Sequence, residues 1–367
     1  MNGHAMRLAS ALYALFVLGL TAGARAEHDG VNGKPVVEPE IASYAPRTDL
    51  SGRILTIAGS NTMQPLLAKL ASGFTKHHPD VRIVVEDVGS DEAIREFIIG
   101  YSLQRRGEKA RKGTDGATEL NVLASSRELT EKEIKAFTTT NGYAPLAIPI
   151  AMDAVTIYVH RSNPVQGLTL AQVDAIFSVH RKRGFPEEIK TWGQAGVQEA
   201  WHDQPIHLYG RDKDSGTRRF FQAVALLDGD LKEEVKEQPG SASEILAIAR
   251  DPLGIGYAGV GFQSSLVRRV PLAEDAGKPF VKASTDSVLD GSYPLRRHLY
   301  LYVDKAPGSK LDPIIEEFLK FANSREGQQT VVQAQLYPLS KREVANNLAA
   351  LSGGPVAVSM QNGFSSR

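Results

Sequence analysis

Segments with strand character alternate with segments of helical period along most of the chain. Arg53–Ala58 is a short apolar run, and Gln64–His77 after it places leucine and phenylalanine at helical spacing. Val81–Val88 is a second apolar run, again followed by a helical pattern. This alternation predicts an α/β architecture. Leu146–Val159 is β-prone over more residues than the usual strand of about 5–6, which favours a strand that passes from one domain into the next.

The rest of the chain supplies the elements of a second domain and a return to the first. We predict further strands at Asn121–Ala124, Ile255–Tyr257 and Leu299–Val303, and helices at Leu170–Phe177, Phe220–Leu227, Ile314–Phe321 and Gln328–Ala334. A length of 367 residues suits two domains, each with its own core. Residues 27–50 and 346–367 lack an apolar period, so we interpret them as an extended leader and a disordered tail.

The first 26 residues have the features of a signal peptide. Met6-Arg7 gives a positive start, Ala11–Leu20 is apolar, and Ala24-Arg25-Ala26 fits the small-residue rule for cleavage. The apolar stretch has about half of the ~20 residues that a membrane-spanning helix needs. The alternative is a buried N-terminal helix. The sequence therefore predicts export to the periplasm, with a mature protein that does not insert into the membrane.

The charge balance and the absence of cysteine exclude several classes of protein. The 42 basic and 42 acidic side chains leave no overall field to attract nucleic acid or anionic lipid. The chain has no cysteine, which excludes disulfides and thiolate metal sites. No metal-binding motif occurs, and His77-His78 falls at a predicted helix end. We interpret the basic runs Arg105–Lys112 and His180–Arg183 as solvated loops, with a polyanion patch as the alternative.

One local arrangement recurs three times: a strand ends, a glycine and a hydroxyl residue follow, and a helix begins. It occurs at Ala58–Thr62, at Val88–Asp91 and at Tyr209–Thr217. A helix N-terminus presents unpaired N–H groups and about half a positive charge, so it attracts anions. Serine and threonine add hydroxyl donors, and glycine lets the backbone approach a ligand closely. Because open α/β sheets gather ligands at the carboxyl ends of their strands, we expect the three junctions to form one anion site.

The alternative for each junction is an ordinary helix cap, the commonest role of serine and threonine at such positions. Arg211, inside the third junction, favours the anion site because a guanidinium is a permanently charged, bidentate partner for an oxyanion. No phosphate-loop spacing and no Gly-x-Ser-x-Gly elbow occur. Neither nucleotide hydrolysis nor a serine nucleophile is therefore indicated.

The third junction resembles a segment of the phosphate-binding component of bacterial phosphate ABC transporters. Gly210–Arg218 matches the Gly-Arg-x-x-x-Ser-Gly-Thr pattern of that family. Further matching segments follow in the family's order: Gly59–Thr62 with Pro65, Val88–Ser90, Ala124–Leu129, Ile150–Val155, Asn163–Val165, Leu168–Leu170, Ile255–Tyr257, Ser324–Gln328 and Tyr337–Leu339. The resemblance runs from about Arg53 to Leu339, nearly the whole mature chain.

The resemblance implies the type II periplasmic-binding-protein fold, in which two α/β lobes with mixed sheets are joined by two crossover strands. The first lobe would comprise residues 51–152 and 257–345, and the second lobe residues 153–256. The family members are not enzymes, and the resemblance implies a monomer without cofactor or metal that binds inorganic phosphate between its lobes. Closure would be a hinge motion that presents the loaded protein to ABC permease subunits in the inner membrane.

The resemblance also implies which residues contact the anion. Carried over to this chain and extended to the end of the third strand, the predicted phosphate-binding residues are Ser60, Asn61, Thr62, Ser90, Asp91, Ser126, Arg127, Arg211, Ser215, Gly216 and Thr217.

The chain departs from the family pattern in three places that bear on the ligand. Asp91-Glu92 follow the second junction where many relatives have small residues, and Asp214 replaces a frequent glycine. Ser125–Arg127 ends the third strand where some relatives place an aspartate. The Gly-, Lys- and Arg-rich segment 104–119 is a predicted surface insertion that could alter docking to a permease.

In some relatives that aspartate accepts the proton of hydrogen phosphate, so in this chain the acceptor must come from elsewhere or be missing. Asp91 is the candidate, because it directly follows Ser90, and Asp153 on the long β-prone run is the reserve. The alternative for Asp91 is an acid that stabilises the helix dipole. The alternative functions are binding of another oxyanion such as sulfate, a role in sensing or surface attachment, and a secreted phosphatase.

Overall fold

The computed structural model describes residues 35–46, 49–99 and 120–353. The predicted signal peptide (1–26) and the predicted insertion (104–119), with the basic run inside it, lie outside these residues. The strands are β1 Ile54–Gly59, β2 Arg82–Glu86, β3 Val122–Ser125, β4 Leu146–His160, β5 Leu168–Thr169, β6 His207–Arg211, β7 Lys236–Gln238, β8 Gly254–Gly259, β9 Val267–Val270, β10 Leu272–Ala273 and β11 Arg296–Val303. The helices are α1 Gln64–Thr75, α2 Ser90–Ile99, α3 Glu131–Asn141, α4 Leu170–Phe177, α5 Gly216–Ala225, α6 Ser241–Ala249, α7 Thr285–Leu289, α8 Pro313–Ala322, α9 Arg325–Gln333 and α10 Lys341–Leu351. In the described part of the chain, no helix is both long and apolar enough to cross a membrane.

One long strand, β4, runs through both halves of the molecule. Its residues 146–154 pair antiparallel with β11, and its residues 155–160 pair antiparallel with β8 and β9. The sheet has the order β2-β1-β3-β11-β4-β8-β6-β7, with β9 also beside β4. We call the part around β1, β2, β3 and β11 the first lobe, and the part around β6, β7, β8 and β9 the second lobe. The predicted two-lobed α/β fold with mixed strand pairing is confirmed. The predicted lobe boundaries at 152/153 and 256/257 fall inside β4 and β8 and stay a prediction.

Parallel pairing within each lobe brings the helix starts to one edge of the sheet. In the first lobe β1 pairs in parallel with β2 and β3, and in the second β6 pairs in parallel with β7 and β8. Helices α1, α2 and α5 follow β1, β2 and β6, so they begin where parallel strands end. The predicted apolar face of α1 is buried through Leu66, Leu67, Leu70 and Phe74. Full burial of each such side chain contributes about 1.5–3 kcal/mol, which holds the start of α1 in place.

The segment before β1 packs against the first lobe in an extended form. Ile41 is buried, and its carbonyl accepts a hydrogen bond from Arg325 Nε at 3.0 Å. Tyr44 N donates to Glu326 Oε2 at 2.7 Å. The start of α9 therefore fastens this segment, which gives the Ser324–Gln328 motif a structural role.

Helix α10 corrects the predicted disordered tail. Residues 341–351 are helical and bury Val344, Asn347, Ala350 and Leu351. The prediction is therefore wrong for residues 346–351, while residues 354–367 lie outside the described part. The physical reason is that Asn347 and Ala350 belong to the buried face of α10, so the strongly apolar residues alone do not show its helical period. Asn347 Nδ2 donates to the Pro149 carbonyl at 2.7 Å, so the polar side chain is satisfied when it is buried.

The basic run His180–Arg183 closes the C-terminal end of α5. Lys182 Nζ donates to the Leu227 carbonyl at 3.1 Å, and Arg183 Nε donates to the Ala225 carbonyl at 2.7 Å. Cations at this end satisfy carbonyls that have no partner inside the helix, and they favour the dipole. The prediction of a solvated loop is therefore wrong for Arg183, whose guanidinium is bound to the helix end.

Candidate anion site

Four helix starts meet in the cleft between the lobes. Those of α1 and α2 belong to the first lobe, and those of α5 and α6 to the second. Across the cleft, Thr62 Oγ1 lies 2.8 Å from Thr217 Oγ1 and 3.5 Å from Ser241 Oγ. All three residues are at most 5% exposed. We call Thr62, Thr217 and Ser241 the hydroxyl cluster.

Gly216, the first residue of α5, lies against two serines of the first lobe. A Cβ on this residue would be 2.5 Å from Ser90 Oγ and 2.8 Å from Ser126 Oγ, so a side chain does not fit without displacement. Ser90 and Ser126 are fully buried, and their hydroxyl oxygens are 3.4 Å apart. The N-terminus of α5, where N–H groups have no partner inside the helix, therefore lies beside two buried hydroxyls. The three predicted junctions are brought together.

Arg211 at the end of β6 is a fully buried cation. Its Nη1 donates to Ser241 Oγ at 2.9 Å, and its Nη2 donates to Asn61 Oδ1 at 3.2 Å and to the Pro239 carbonyl at 3.3 Å. Within the described residues it has no hydrogen-bonded carboxylate, and its Nε has no partner. An uncompensated buried charge costs several kcal/mol. An anion in the cleft would supply both the missing charge and the missing acceptor.

A second buried arginine, Arg297 of β11, reaches the hydroxyl cluster. Its Nη2 donates to Thr217 Oγ1 at 3.0 Å and to Asp153 Oδ2 at 2.7 Å, and its Nε donates to the same Oδ2 at 2.9 Å. Its Nη1 has no partner among the described residues. Burial lowers the pKa of Arg297, and the charge of Asp153 opposes this shift. Arg297 is thus neutralised by a carboxylate, whereas Arg211 is not.

Glu244, a buried acid on α6, does not compensate the charge of Arg211. Burial raises the pKa of Glu244 to about 8, although the charge of Arg211 and a hydrogen bond from Tyr257 N oppose the rise. That bond is 2.8 Å long and ends on Oε1, while Oε2 has no partner in the described structure. At neutral pH the carboxyl group is therefore mostly protonated. A protonated Glu244 does not offset the charge of Arg211.

Arg127 and Asp91 bind each other beside the cleft. Arg127 donates to Asp91 Oδ1 from Nε at 3.1 Å and from Nη2 at 2.7 Å. It also donates to both carboxylate oxygens of Glu133, at 2.8 and 2.7 Å, and to the Glu128 carbonyl at 2.9 Å. These contacts use all five N–H groups of the guanidinium. Burial lowers the pKa of Arg127, but the hydrogen bonds that it donates to Glu133 and the charge of Asp91 outweigh this and raise it. Arg127 therefore links α2 to α3, and these contacts leave it no N–H group for an anion.

The remaining predicted residues have different surroundings. Ser215 Oγ accepts from Arg218 N at 3.3 Å, so this serine is the cap of α5, as the alternative interpretation expected. Asn61 holds a guanidinium nitrogen of Arg211 across the cleft. This contact orients the arginine. Ser60, one residue before Asn61, is 3% exposed.

Two contributors to the site were not predicted. Arg297 shares a face of β11 with Leu299, Leu301 and Val303, all of which are buried. Alternate residues of a strand point the same way, so a charge on this otherwise apolar face was the available signal. Ser241 follows β7, which has only three residues and no readable period.

The donors gathered here are those that an anion requires. No histidine in the described part of the chain hydrogen-bonds Ser60, Ser90 or Ser215, so none of these three hydroxyls has an imidazole base beside it. Among the same residues, no three His, Asp or Glu side chains lie close enough to hold a metal ion. Hydroxyls, helix N-termini and guanidinium groups are the donors that an oxyanion requires.

Comparison with known proteins agrees with this class of fold. The family described as the PBP superfamily domain matches residues 33–326. Phosphate-binding protein PstS of Pseudomonas aeruginosa is 38% identical over 303 residues, covering 83% of this chain and 88% of that protein. The chain belongs to the PBP superfamily and, within it, to the family of the phosphate-binding proteins called PstS.

Solved structures with a similar fold include two described as phosphate receptors or binding proteins. One is an ABC-type phosphate transport receptor from Vibrio cholerae, with a TM-score of 0.56 and 22% identity, covering 78% of this chain and 100% of that chain. Another is a phosphate-binding protein from Stenotrophomonas maltophilia, with a TM-score of 0.57 and 15% identity, covering 82% and 96%. At these identities the likeness concerns the fold.

Proposed function

We propose that this protein captures inorganic phosphate between its two lobes and delivers it to an ABC permease of the inner membrane. It would act in the periplasm as a monomer, without catalysis. The observation that carries the proposal is Arg211, a buried cation that has no carboxylate partner among the described residues and lies at the meeting point of four helix starts. The names of the relatives support phosphate as the anion, since PstS of Pseudomonas aeruginosa is called a phosphate-binding protein.

The donors of the site fit a tetrahedral oxyanion. Arg211 Nε and Arg297 Nη1 are buried donors without partners in the described structure. The hydroxyl cluster and the paired serines Ser90 and Ser126 surround the start of α5. We propose that these groups, with the first N–H groups of α5, contact phosphate directly. In this proposal Asn61 orients Arg211, while Asp91 and Arg127 bind each other beside the site.

The choice between phosphate and sulfate requires an acceptor for a proton. Hydrogen phosphate carries a proton at neutral pH and sulfate does not, so a fixed carboxylate favours phosphate and leaves sulfate facing an unpaired acceptor. Both candidate carboxylates accept two hydrogen bonds from an arginine, Asp91 from Arg127 beside the cleft and Asp153 from Arg297, so these bonds do not separate them. Asp153 is fully buried and shares Arg297 with Thr217 of the hydroxyl cluster. We therefore propose Asp153 as the acceptor, in preference to Asp91.

Titration calorimetry of the mature protein tests the proposal. The protein is unfolded to strip bound anion, refolded, and titrated with phosphate, arsenate and sulfate. We expect tight binding of phosphate and arsenate, which both carry a proton, and much weaker binding of sulfate. Tight sulfate binding without phosphate binding would assign the site to another oxyanion, and no binding of any of the three would refute the proposal. Hydrolysis of a chromogenic phosphate ester, with and without added divalent metal, tests for the absence of catalysis.

Cell fractionation and transport assays test the cellular part. We expect the protein in the periplasmic fraction, with residues 1–26 removed. Deletion of the protein should abolish phosphate uptake at low phosphate, and the Arg211→Met variant should fail to restore it. Retention of the full chain in the cytoplasm would contradict the proposed location.

A further inference from the structure

Asp214 joins the two lobes beside the candidate anion site. It belongs to the second lobe, in the loop between β6 and α5, directly before Ser215. Two groups of α2, in the first lobe, reach it: Arg95 Nη2 donates to its Oδ1 at 2.9 Å, and Asp91 N donates to its carbonyl at 3.1 Å. Asp91 and Arg95 are four residues apart and so lie on one face of the helix. The side-chain carboxylate and the backbone carbonyl of Asp214 therefore both accept hydrogen bonds from α2.

Gly89 shows how closely the lobes approach here. Its φ is +95°, in the region that favours glycine, and a Cβ would lie 2.7 Å from the Asp214 carbonyl oxygen. The chain before α2 thus packs directly against the backbone of Asp214. The contact between the lobes at this point involves backbone as well as side chains.

The ion pair lies outside the proposed phosphate contacts. The side chains of Arg95 and Asp214 are 59% and 22% exposed, in contrast to the buried arginines of the site. In the described structure neither hydrogen-bonds a member of the hydroxyl cluster. Because Arg95 and Asp214 belong to different lobes, their contact exists only while the lobes are closed.

We propose that the Arg95–Asp214 ion pair is a latch that sets how fast bound phosphate is released. The proposal rests on the proposed function. An anion enclosed between closed lobes leaves only when they part, and parting breaks the pair, so the pair slows release. Capture occurs on the open form, in which the pair is absent, so loss of the pair does not slow capture. For an exposed ion pair, we expect its loss to raise the rate of phosphate release about two- to fivefold.

Stopped-flow measurement of phosphate dissociation and association tests the latch. We expect Arg95→Met and Asp214→Asn each to raise the dissociation rate about two- to fivefold and not to lower the association rate, while Arg95→Lys retains part of the effect. The double variant should be no faster than either single variant. In 1 M salt, where the Debye length is about 3 Å, the wild-type rate should approach that of Arg95→Met. The matched control is Arg219→Met, which removes an exposed arginine of α5 that makes no ion pair among the described residues.

The outcomes separate this proposal from the proposed function. An unchanged dissociation rate in Arg95→Met, or an equal increase in Arg219→Met, would overturn the latch. A second readout needs no ligand: because the chain lacks cysteine, fluorophores can be attached to Lys132→Cys in the first lobe and Glu233→Cys in the second. Arg95→Met should lengthen the mean distance between the labels, and an unchanged distance would overturn the latch. A wild-type protein that binds no phosphate would refute the proposed function, and the distance measurement would still decide the latch.

Discussion

Asp153 and Arg297 face each other across β4 and β11 and form a buried ion pair. The two residues are register partners in the antiparallel ladder, Arg297 Nη2 lies 2.7 Å from Asp153 Oδ2, and the side chains are 0% and 2% exposed. A buried ion pair is weak evidence for stability, because desolvation offsets most of its attraction. The hydrogen bond from Arg297 to Thr217 gives the ion pair a second role, since it holds a fixed carboxylate and a fixed cation together beside the proposed anion.

Replacing Asp153 by Asn should change the selectivity between anions. The amide removes the proposed acceptor, so we expect weaker phosphate binding and a phosphate-to-sulfate affinity ratio that falls by at least about tenfold; sites built around one hydrogen bond discriminate by up to about 10⁴–10⁵. Calorimetry with both anions measures the ratio. Asp91→Asn is the matched control and should leave the ratio unchanged. A wild-type ratio in a folded Asp153→Asn variant would exclude Asp153 as the acceptor.

A methyl group at Gly216 should weaken phosphate binding. In Gly216→Ala the new Cβ must displace Ser90 Oγ and Ser126 Oγ, which lie 2.5 and 2.8 Å from its position. We expect a loss of affinity of about five- to 150-fold, because overpacking a close contact costs about 1–3 kcal/mol. The control is Gly142→Ala, at a helix end with positive φ and open space around the Cβ. It should lower the melting temperature and leave phosphate affinity unchanged. Equal affinities for the two variants would show that Gly216 is not at the site.

The attachment of α10 should fail in acid. Burial would raise the pKa of Glu343, but hydrogen bonds from His298 and Ser340 lower it to about 2. A carboxyl group whose pKa is lower in the folded state stabilises the fold above its unfolded pKa, about 4.3, and this contribution is lost as the pH falls toward 2.

Urea unfolding at several pH values checks this account of Glu343. Glu343→Gln should lower the free energy of unfolding by about 1–3 kcal/mol at pH 7, and the difference from wild type should shrink between about pH 4 and pH 2. Glu131→Gln, on the exposed start of α3, is the control and should have little effect at any pH. A difference for Glu343→Gln that stays constant with pH would contradict the pKa assignment.

The fold was predictable because its elements have strong periods. The apolar face of α1 and the length of β4 follow directly from leucine spacing and from an uninterrupted β-prone run. Elements that bury polar or small residues were missed, and α10 with its buried Asn347 is the clearest example. The glycine and hydroxyl residues before α1, α2 and α5 identified those helix starts, because backbone chemistry restricts the residues that suit such junctions.

The partners of the charged residues could not be predicted, because they depend on contacts distant in sequence. Arg127 meets Asp91 and Glu133 only once α2, β3 and α3 are packed together. Asp153 and Arg297 are separated by 144 residues and meet through a single register of β4 with β11. No local pattern indicates which arginine keeps a free donor.

The affinity of Arg211→Met for phosphate, measured by titration calorimetry beside the wild type, tests the central claim most directly. Arg211 is the buried cation without a carboxylate partner in the described structure, and loss of a desolvated, charge-assisted contact costs about 2–5 kcal/mol. We predict that phosphate affinity falls by about thirtyfold or more in Arg211→Met, while the exposed-site control Arg219→Met stays within about threefold of the wild type. A folded Arg211→Met variant that binds phosphate as tightly as the control would contradict the account.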